Sequence, residues 1–233
     1  MHVLIVEDEL SIRDVLSAYL LKEGWTVDTT SDGQDAVNRF DQLKHDMILL
    51  DLMIEGMPGE EVCRKIREKS NVPIVVITSK SRESDAVNCF ELGADDYIIK
   101  PFRVKEVIAR IQSIMRRVHV HDRTNQLRDF YSFDRGKLLV WPDKHEVVVN
   151  GATVNLTTTE LKLLTVLITN PGKIYDRSDL AYKVQGYRFI GDGRSIDTHI
   201  KNLRKKLEED SREPQYIVTV VGSGYKFTKH PDE

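Results

Sequence analysis

The chain reads as an α/β domain with a parallel five-stranded sheet, followed by a smaller α+β domain. Three observations predict this. Five short apolar runs alternate with helix-patterned segments over residues 1–117. Polar residues able to do chemistry follow directly on several of those runs. From residue 131 the spacing changes to short, closely set strands around a group of helices. The five runs are 3–6, 25–27, 47–50, 74–77 and 97–99, and the helical segments are roughly 11–22, 33–42, 60–69, 83–92 and 103–117. Strands that alternate with helices imply a parallel sheet covered on both faces.

Composition narrows the class. The 233 residues are 40% hydrophobic, enough for a sizeable core in one large or two ordinary domains. No apolar run reaches membrane-spanning length, and the N-terminus enters a strand without a signal-peptide layout, so a cytoplasmic protein with no membrane insertion is expected. Cys63 and Cys89 are isolated, which fits a reducing compartment and two small core residues. His119 and His121 lack further ligands nearby and read as part of a solvated connector. Residues 1–120 carry 16 Lys+Arg against 21 Asp+Glu, whereas 121–233 carry 18 against 16. An acidic part joined to a mildly basic one points to two tasks, the second compatible with nucleic acid.

The stretch from Asp46 to Gly59 organises the first domain: an apolar strand stops at Asp51 and a loop with Gly56, Pro58 and Gly59 leads into a helix. Glu7 and Asp8, Thr78 and Lys100 likewise stand at the carboxyl ends of predicted strands, the edge where open α/β sheets bind ligands. Carboxylates that meet there repel unless a cation is present, and all-oxygen ligation suits Mg²⁺. Asp51 as nucleophile, Mg²⁺ and Lys100 against equatorial charge, and Thr78 on a phosphoryl oxygen supply what phosphoryl transfer needs.

The motifs V-E-D-E, I-L-L-D-L-M, V-V-I-T-S and D-D-Y-I-I-K-P-F resemble the receiver domain of two-component response regulators over roughly residues 1–117. The resemblance implies a flavodoxin-like fold and a phosphoryl group delivered to Asp51 by a sensor histidine kinase. It implies that Glu7, Asp8, Asp51 and the Met53 carbonyl hold Mg²⁺, and that Tyr97 is the switch aromatic that swings inward when Thr78 engages the phosphoryl group. It further implies an activated homodimer through the fourth helix, fifth strand and fifth helix, with Asp96–Arg110 and Asp95–Arg117 as charge pairs and Glu106 at its family position. Ala86 stands where a basic partner of Glu106 is usual, which weakens that dimer.

Residues 119–130 are polar and read as a linker between domains at 1–118 and 131–233. Strands are expected at 131–133, 137–141, 146–149 and 153–156, with Asn150-Gly151 as a hairpin turn. Thr157 and Glu160 form a capping box ahead of a helix over 161–168, and a second helix spans 178–184. In the helix at 194–208, Ile196, Ile200, Leu203 and Leu207 share one face. Arg194, Thr198, Lys201 and Lys205 lie opposite, with Asn202 at the edge, a set suited to phosphates and base edges of double-stranded DNA. Strands at 216–221 and 225–228 close a C-terminal hairpin.

This half, with L-T-T-T-E-L-K-L-L and V-T-V-V-G-S-G-Y-K-F, resembles the winged helix-turn-helix effector of the OmpR/PhoB family. The resemblance adds Arg204, Thr219 and Tyr225 to the expected DNA contacts on promoter DNA, and assigns the loop at 185–193 to RNA polymerase. Asn202 and Val221 depart from arginines found in relatives, which favours an adenine contact and a weaker minor-groove wing. Two alternatives remain: a constitutive DNA-binding protein with an unused receiver site, and an aspartyl-phosphate hydrolase, against which Met53 stands where a second aspartate is wanted.

Overall fold

The computed structural model describes residues 1–41, 43–119, 130–185 and 193–232; the side chains at 116–119, 185, 193 and 194 lie outside that description. The expectations for the 185–193 loop, for most of the 119–130 connector and for the side chains of Arg117 and Arg194 therefore fall outside the described residues. The chain divides into two compact units, Met1–Met115 and Arg116–Glu233.

In the first unit, strands β1 (His2–Val6), β2 (Thr26–Thr30), β3 (Met47–Leu50), β4 (Ile74–Thr78) and β5 (Asp96–Ile99) alternate with α1 (Leu10–Lys22), α2 (Gly33–Arg39), α3 (Gly59–Arg67), α4 (Glu83–Glu91) and α5 (Val104–His119). The sheet is parallel throughout, in the order β2-β1-β3-β4-β5. Central strands read as unbroken apolar runs because both of their faces are covered. Leu4, Val6, Ile48, Leu50, Ile74 and Val76 pack with Val62, Ile66 and Phe90 on one side. Val3, Ile5, Met47, Leu49, Val75 and Ile77 pack with Leu16, Leu20, Val107 and Ile111 on the other. β2 runs three residues beyond the expected end at 27, because as an edge strand it closes with the polar run Asp28, Thr29 and Thr30 and lacks an apolar signature. Since β1 lies between β2 and β3, the strand order reverses there, and the crevice at the carboxyl ends of β1 and β3 is the natural binding place.

Arg67, at the end of α3, holds together the α3–β4 and α4–β5 loops at the other end of the sheet. Its guanidinium donates to the carbonyl oxygens of Gly93, Ser70 and Val72 and to Asp95 Oδ2, 2.9 Å away. The same Asp95 oxygen accepts the Ile74 backbone N–H at 3.0 Å. In the single chain the Asp95 side chain is fully covered and paired with Arg67. Arg110 bridges Asp96 at 3.1 Å and Glu106 at 2.8 Å within one chain.

The second unit opens with the antiparallel sheet β6 (Tyr131–Phe133), β7 (Leu138–Trp141), β8 (Glu146–Val149) and β9 (Ala152–Thr153). Asn150 and Gly151, at φ 49 and 81°, make the tight turn that pairs Val149 with Ala152. β9 stops at Thr153, short of the expected 156, because the chain leaves the sheet to reach Thr157, which caps the next helix. That capping box is complete, with Thr157 Oγ1 accepting from Glu160 N and Glu160 from Thr157 N. Helices α6 (Thr158–Thr169), α7 (Arg177–Gln185) and α8 (Gly193–Leu207) surround a core with Leu163, Leu164, Leu180 and Phe227, and β10 (Ile217–Val220) with β11 (Gly224–Phe227) forms the hairpin. Glu208 fixes the approach to that hairpin by accepting the backbone N–H groups of Gln215, Tyr216 and Ile217.

Removing one partner of a covered ion pair strands the other charge, so Arg67→Ala is expected to destabilise the first unit by about 3–5 kcal/mol in urea unfolding. A loss below about 1 kcal/mol would show that the two loops hold without it.

Candidate functional site

The carboxyl ends of β1, β3, β4 and β5 bring Glu7, Asp8, Asp51, Thr78 and Lys100 to one edge. Asp51 and Glu7 are 3% and 2% exposed, Thr78 is fully buried, and Asp8 is open to solvent. Glu7, Asp8 and Asp51 each place a carboxylate oxygen within 4.8 Å of the others. Lys100 Nζ donates to Asp51 Oδ2 at 2.6 Å and to Glu7 Oε1 at 2.7 Å. The other Asp51 oxygen accepts the Met53 backbone N–H at 2.9 Å. Gly59 lets α3 start against this strand end, since a Cβ there would lie 2.3 Å from the Asp51 carbonyl oxygen.

The charges at this edge are unbalanced. Burial, reinforced by Asp51, pushes the Glu7 pKa up even though Lys100 pulls it down. Burial alone would lower the Lys100 pKa, but hydrogen bonds and charge from Asp51 and Glu7 together raise it, so the ammonium is permanent at neutral pH. Three carboxylates and one lysine leave room for two further positive charges. The donor set is all oxygen, so the edge suits a hard divalent cation.

Sequence reasoning missed three residues here. Arg13 donates to the carbonyl oxygens of Glu7, at 2.7 Å, and Asp8, fixing the loop that carries both acids. Lys80 donates its backbone N–H to Thr78 Oγ1 at 3.4 Å, accepts the Tyr97 hydroxyl on its carbonyl oxygen at 2.8 Å, and pairs through Nζ with Glu60. No motif announces these contacts, because two are made by backbone atoms and the third joins residues 20 apart in sequence. Tyr97 is half-buried beside Phe90, and burial raises its hydroxyl pKa. A cleft of about 540 Å³, lined in part by Ile12, Val15, Lys100, Pro101 and Phe102, opens next to Lys100.

His2, Asp28 and His45 form a second titratable group on the β2 side. His45 Nδ1 accepts the Asp41 backbone N–H at 3.2 Å, so the ring carries its proton on Nε2 and gives it to Asp28, 3.0 Å away. Asp28 also takes Lys44 at 2.6 Å, and its pKa is lowered to about 2, first by that hydrogen bond. An imidazole donating through Nε2 is a hydrogen-bond partner rather than a metal ligand.

In the second unit the apolar face of α8 is buried as expected, with Ile196, Ile200, Leu203 and Leu207 at most 1% exposed. Lys201 and Lys205 are exposed, as is Thr219. Four of the expected DNA contacts are engaged or covered within the unit. Thr198 and Asn202 are only 6% and 7% exposed, and both are engaged by neighbours. Tyr225 is buried: its hydroxyl donates to Asp197 Oδ1 at 2.7 Å and its ring lies against the guanidinium groups of Arg177 and Arg204. Arg204 is used within the fold, donating to the Ile217 carbonyl oxygen and to Thr219 Oγ1, both at 2.8 Å. These residues brace α8 against the hairpin, whose tip carries Val221 at 93% exposure.

Residues 3–112 match the response regulator receiver domain, and residues 151–227 match the C-terminal domain of transcriptional regulatory proteins. The chain is 41% identical over 225 residues to the sensory transduction protein RegX3 of Mycobacterium tuberculosis, covering 97% of this chain and 98% of that one. It is 42% identical over 229 residues to the transcriptional regulatory protein ResD of Bacillus subtilis, covering 97% and 95%. Among solved structures, DrrB of Thermotoga maritima, described as an OmpR/PhoB homologue, is 30% identical with a TM-score of 0.50, over 97% of this chain and 98% of that one. The chain belongs to the OmpR/PhoB-type two-component response regulators, transcription factors in which a receiver precedes a winged-helix domain.

Proposed function

We propose that Asp51 is the phosphoacceptor of this regulator and that a sensor histidine kinase is its donor. The observation that carries the reading is the Asp51 carboxylate, buried at the strand end with Lys100 on one oxygen and the Met53 N–H on the other. In the transfer, an Asp51 oxygen forms the new bond to phosphorus while the donor's P–N bond breaks, its electron pair leaving with the imidazole. Lys100 remains to neutralise charge on the phosphoryl oxygens, and Thr78 supplies a hydroxyl to one of them. Glu7, Asp8, Asp51 and the Met53 carbonyl would hold Mg²⁺, which supplies charge neutralisation at the same oxygens. The cleft beside Lys100, with Val15 and Tyr19 exposed on α1, offers an apolar surface to a donor protein. A hydrolase would want a proton donor two residues past Asp51, and that position is Met53.

Tyr97 is the switch aromatic in this reading, and it lies inward beside Phe90 with its hydroxyl on the Lys80 carbonyl. Activation favours a homodimer through α4, β5 and α5, in which Asp96, Glu106 and Arg110 exchange partners within the chain for partners across the interface. The receiver occupies about 1–118 and the effector 131–233, joined by a linker. Arg194, Lys201, Lys205 and the hairpin contact promoter DNA, with Thr198 and Asn202 available only after their present partners are exchanged. The 185–193 loop is the contact for RNA polymerase.

Intact-protein mass after incubation with Mg²⁺ and a small phosphodonor tests the acceptor. The parent should gain one phosphoryl group and Asp51→Asn none; uptake by both would remove Asp51 from the role. A second test uses Glu7, whose raised pKa means that its ionised form costs folding stability at neutral pH, a cost that fades as pH falls through its folded-state pKa. Glu7→Gln should therefore raise the metal-free melting point by about 2–4 °C at neutral pH. The gain should shrink in acid and on adding Mg²⁺, and an unchanged gain with Mg²⁺ would argue against ligation by Glu7. Val221→Arg should steepen the salt dependence of DNA binding by about 0.9 in log–log slope, whereas an equal slope would take the hairpin tip off the phosphates and minor groove.

A further inference from the structure

Arg13 stands where an arginine is disfavoured. It is the fourth residue of α1, and the start of a helix carries partial positive charge that a cation opposes. Side chains on a helix lean towards its N-terminus, and this one turns back over that end. Its Nη1 donates to the carbonyl oxygen of Glu7 at 2.7 Å and to that of Asp8 at 3.4 Å. It takes backbone atoms and leaves the carboxylates alone, that of Glu7 to Lys100 and that of Asp8 to solvent. Asp8 therefore lies between two peptide planes whose carbonyl oxygens are held by one nitrogen. Fixing both planes fixes the Asp8 φ and ψ, and with them the direction in which its Cβ leaves the chain. The Glu7 N–H is anchored separately, on the Thr30 carbonyl oxygen at 3.0 Å, so β2 holds the loop at its start and Arg13 holds it at Asp8.

We propose that Arg13 is a positioning residue for the divalent cation at this edge, orienting the Asp8 backbone so that its exposed carboxylate joins those of Glu7 and Asp51. The proposal rests on the reading of these acids as the Mg²⁺ ligands. An exposed aspartate on an unheld loop samples many directions, and a cation would have to order it on binding. With the backbone already set, an Asp8 carboxylate oxygen stays within 4.8 Å of those of Glu7 and Asp51 before any cation arrives. Arg13 thus preorganises the site while touching neither metal nor phosphoryl group. Loss of such support weakens a metal site by about 10-fold.

Charge alone gives the opposite sign. A guanidinium near the site repels a second cation, so its removal would tighten Mg²⁺ binding if charge were its whole effect. Positioning predicts that Arg13→Gln, whose shorter amide cannot hold both carbonyl oxygens, weakens binding by about 10-fold. Arg13→Met, which keeps the apolar stem, should do the same, so the result does not hang on the folding of one variant. Affinity would be read by titration with Mn²⁺ followed by EPR, with Mg²⁺ as competitor. In an Asp8→Asn background, Arg13→Gln should have no further effect, since the carboxylate that it orients is gone. Weaker binding in both Arg13 variants that disappears in the Asp8→Asn background supports the assignment. Tighter or unchanged binding, or an equal loss in both backgrounds, overturns it and leaves Glu7, Asp8 and Asp51 as the ligands. A parent that binds neither cation overturns the metal reading and this proposal together.

Discussion

Three carboxylates converge where β1 and β3 end, and Lys100 brings an ammonium to two of them at 2.6 and 2.7 Å. Without it, Glu7 and Asp51 would face each other in a largely covered crevice with nothing to offset their repulsion. With it, the site remains short of positive charge, as the raised pKa of Glu7 records. The arrangement is thus stable enough to persist and unbalanced enough to attract a cation and an anion together. Lys100 can play this part because β5 pairs with β4, which in turn pairs with β3, so its strand end is carried to the same edge. The rest of the receiver secures that edge: two apolar faces fix strand register, and register decides which residue reaches the crevice.

Much of this was legible in the chain. The alternation of runs and helices yields a parallel sheet, and once the strands are parallel, residues that follow each run must share an edge; this is why Glu7, Asp8, Asp51, Thr78 and Lys100 could be grouped before any coordinates. β2 was legible only in part, since half-exposed edge strands lose the apolar signal that marks the central ones. The contact of Asp95 with Arg67 was not legible, because Arg67 lies 28 residues upstream and reaches it only through the folded α3. Lys80 carried no signal, because its backbone atoms do the bonding.

The second unit shows a different limit. Helical periodicity identified the buried face of α8 correctly, from Ile196 to Leu207, because apolar residues at that spacing have one use. It could not sort the polar remainder, since the same residue types serve DNA, solvent and the fold itself. Tyr225, Arg204 and Thr219 were grouped from the chain, but their contacts with one another were not legible in it. They meet one another and Asp197, setting the hairpin at a fixed distance from α8. A rigid spacing between helix and hairpin is itself useful for reading DNA, because a groove and its flanking backbone must be engaged at once. Arg204 and Tyr225 thus join α8 to the hairpin.

Energy scales connect the two kinds of residue. A covered pair such as Arg67–Asp95 is strongly coupled to folding, so it cannot be exchanged during signalling without cost to the whole domain. A half-exposed pair such as Glu60–Lys80, or the Tyr97 hydroxyl on a single carbonyl, is worth about 1 kcal/mol or less. A switch between two arrangements separated by a few kcal/mol has to be built from contacts of this second size, because larger ones would lock one state beyond the reach of a single phosphoryl group. The receiver follows that division in space. The covered Arg67–Asp95 pair lies at the end of the sheet away from Asp51, whereas weaker contacts gather around Thr78, Lys80 and Tyr97.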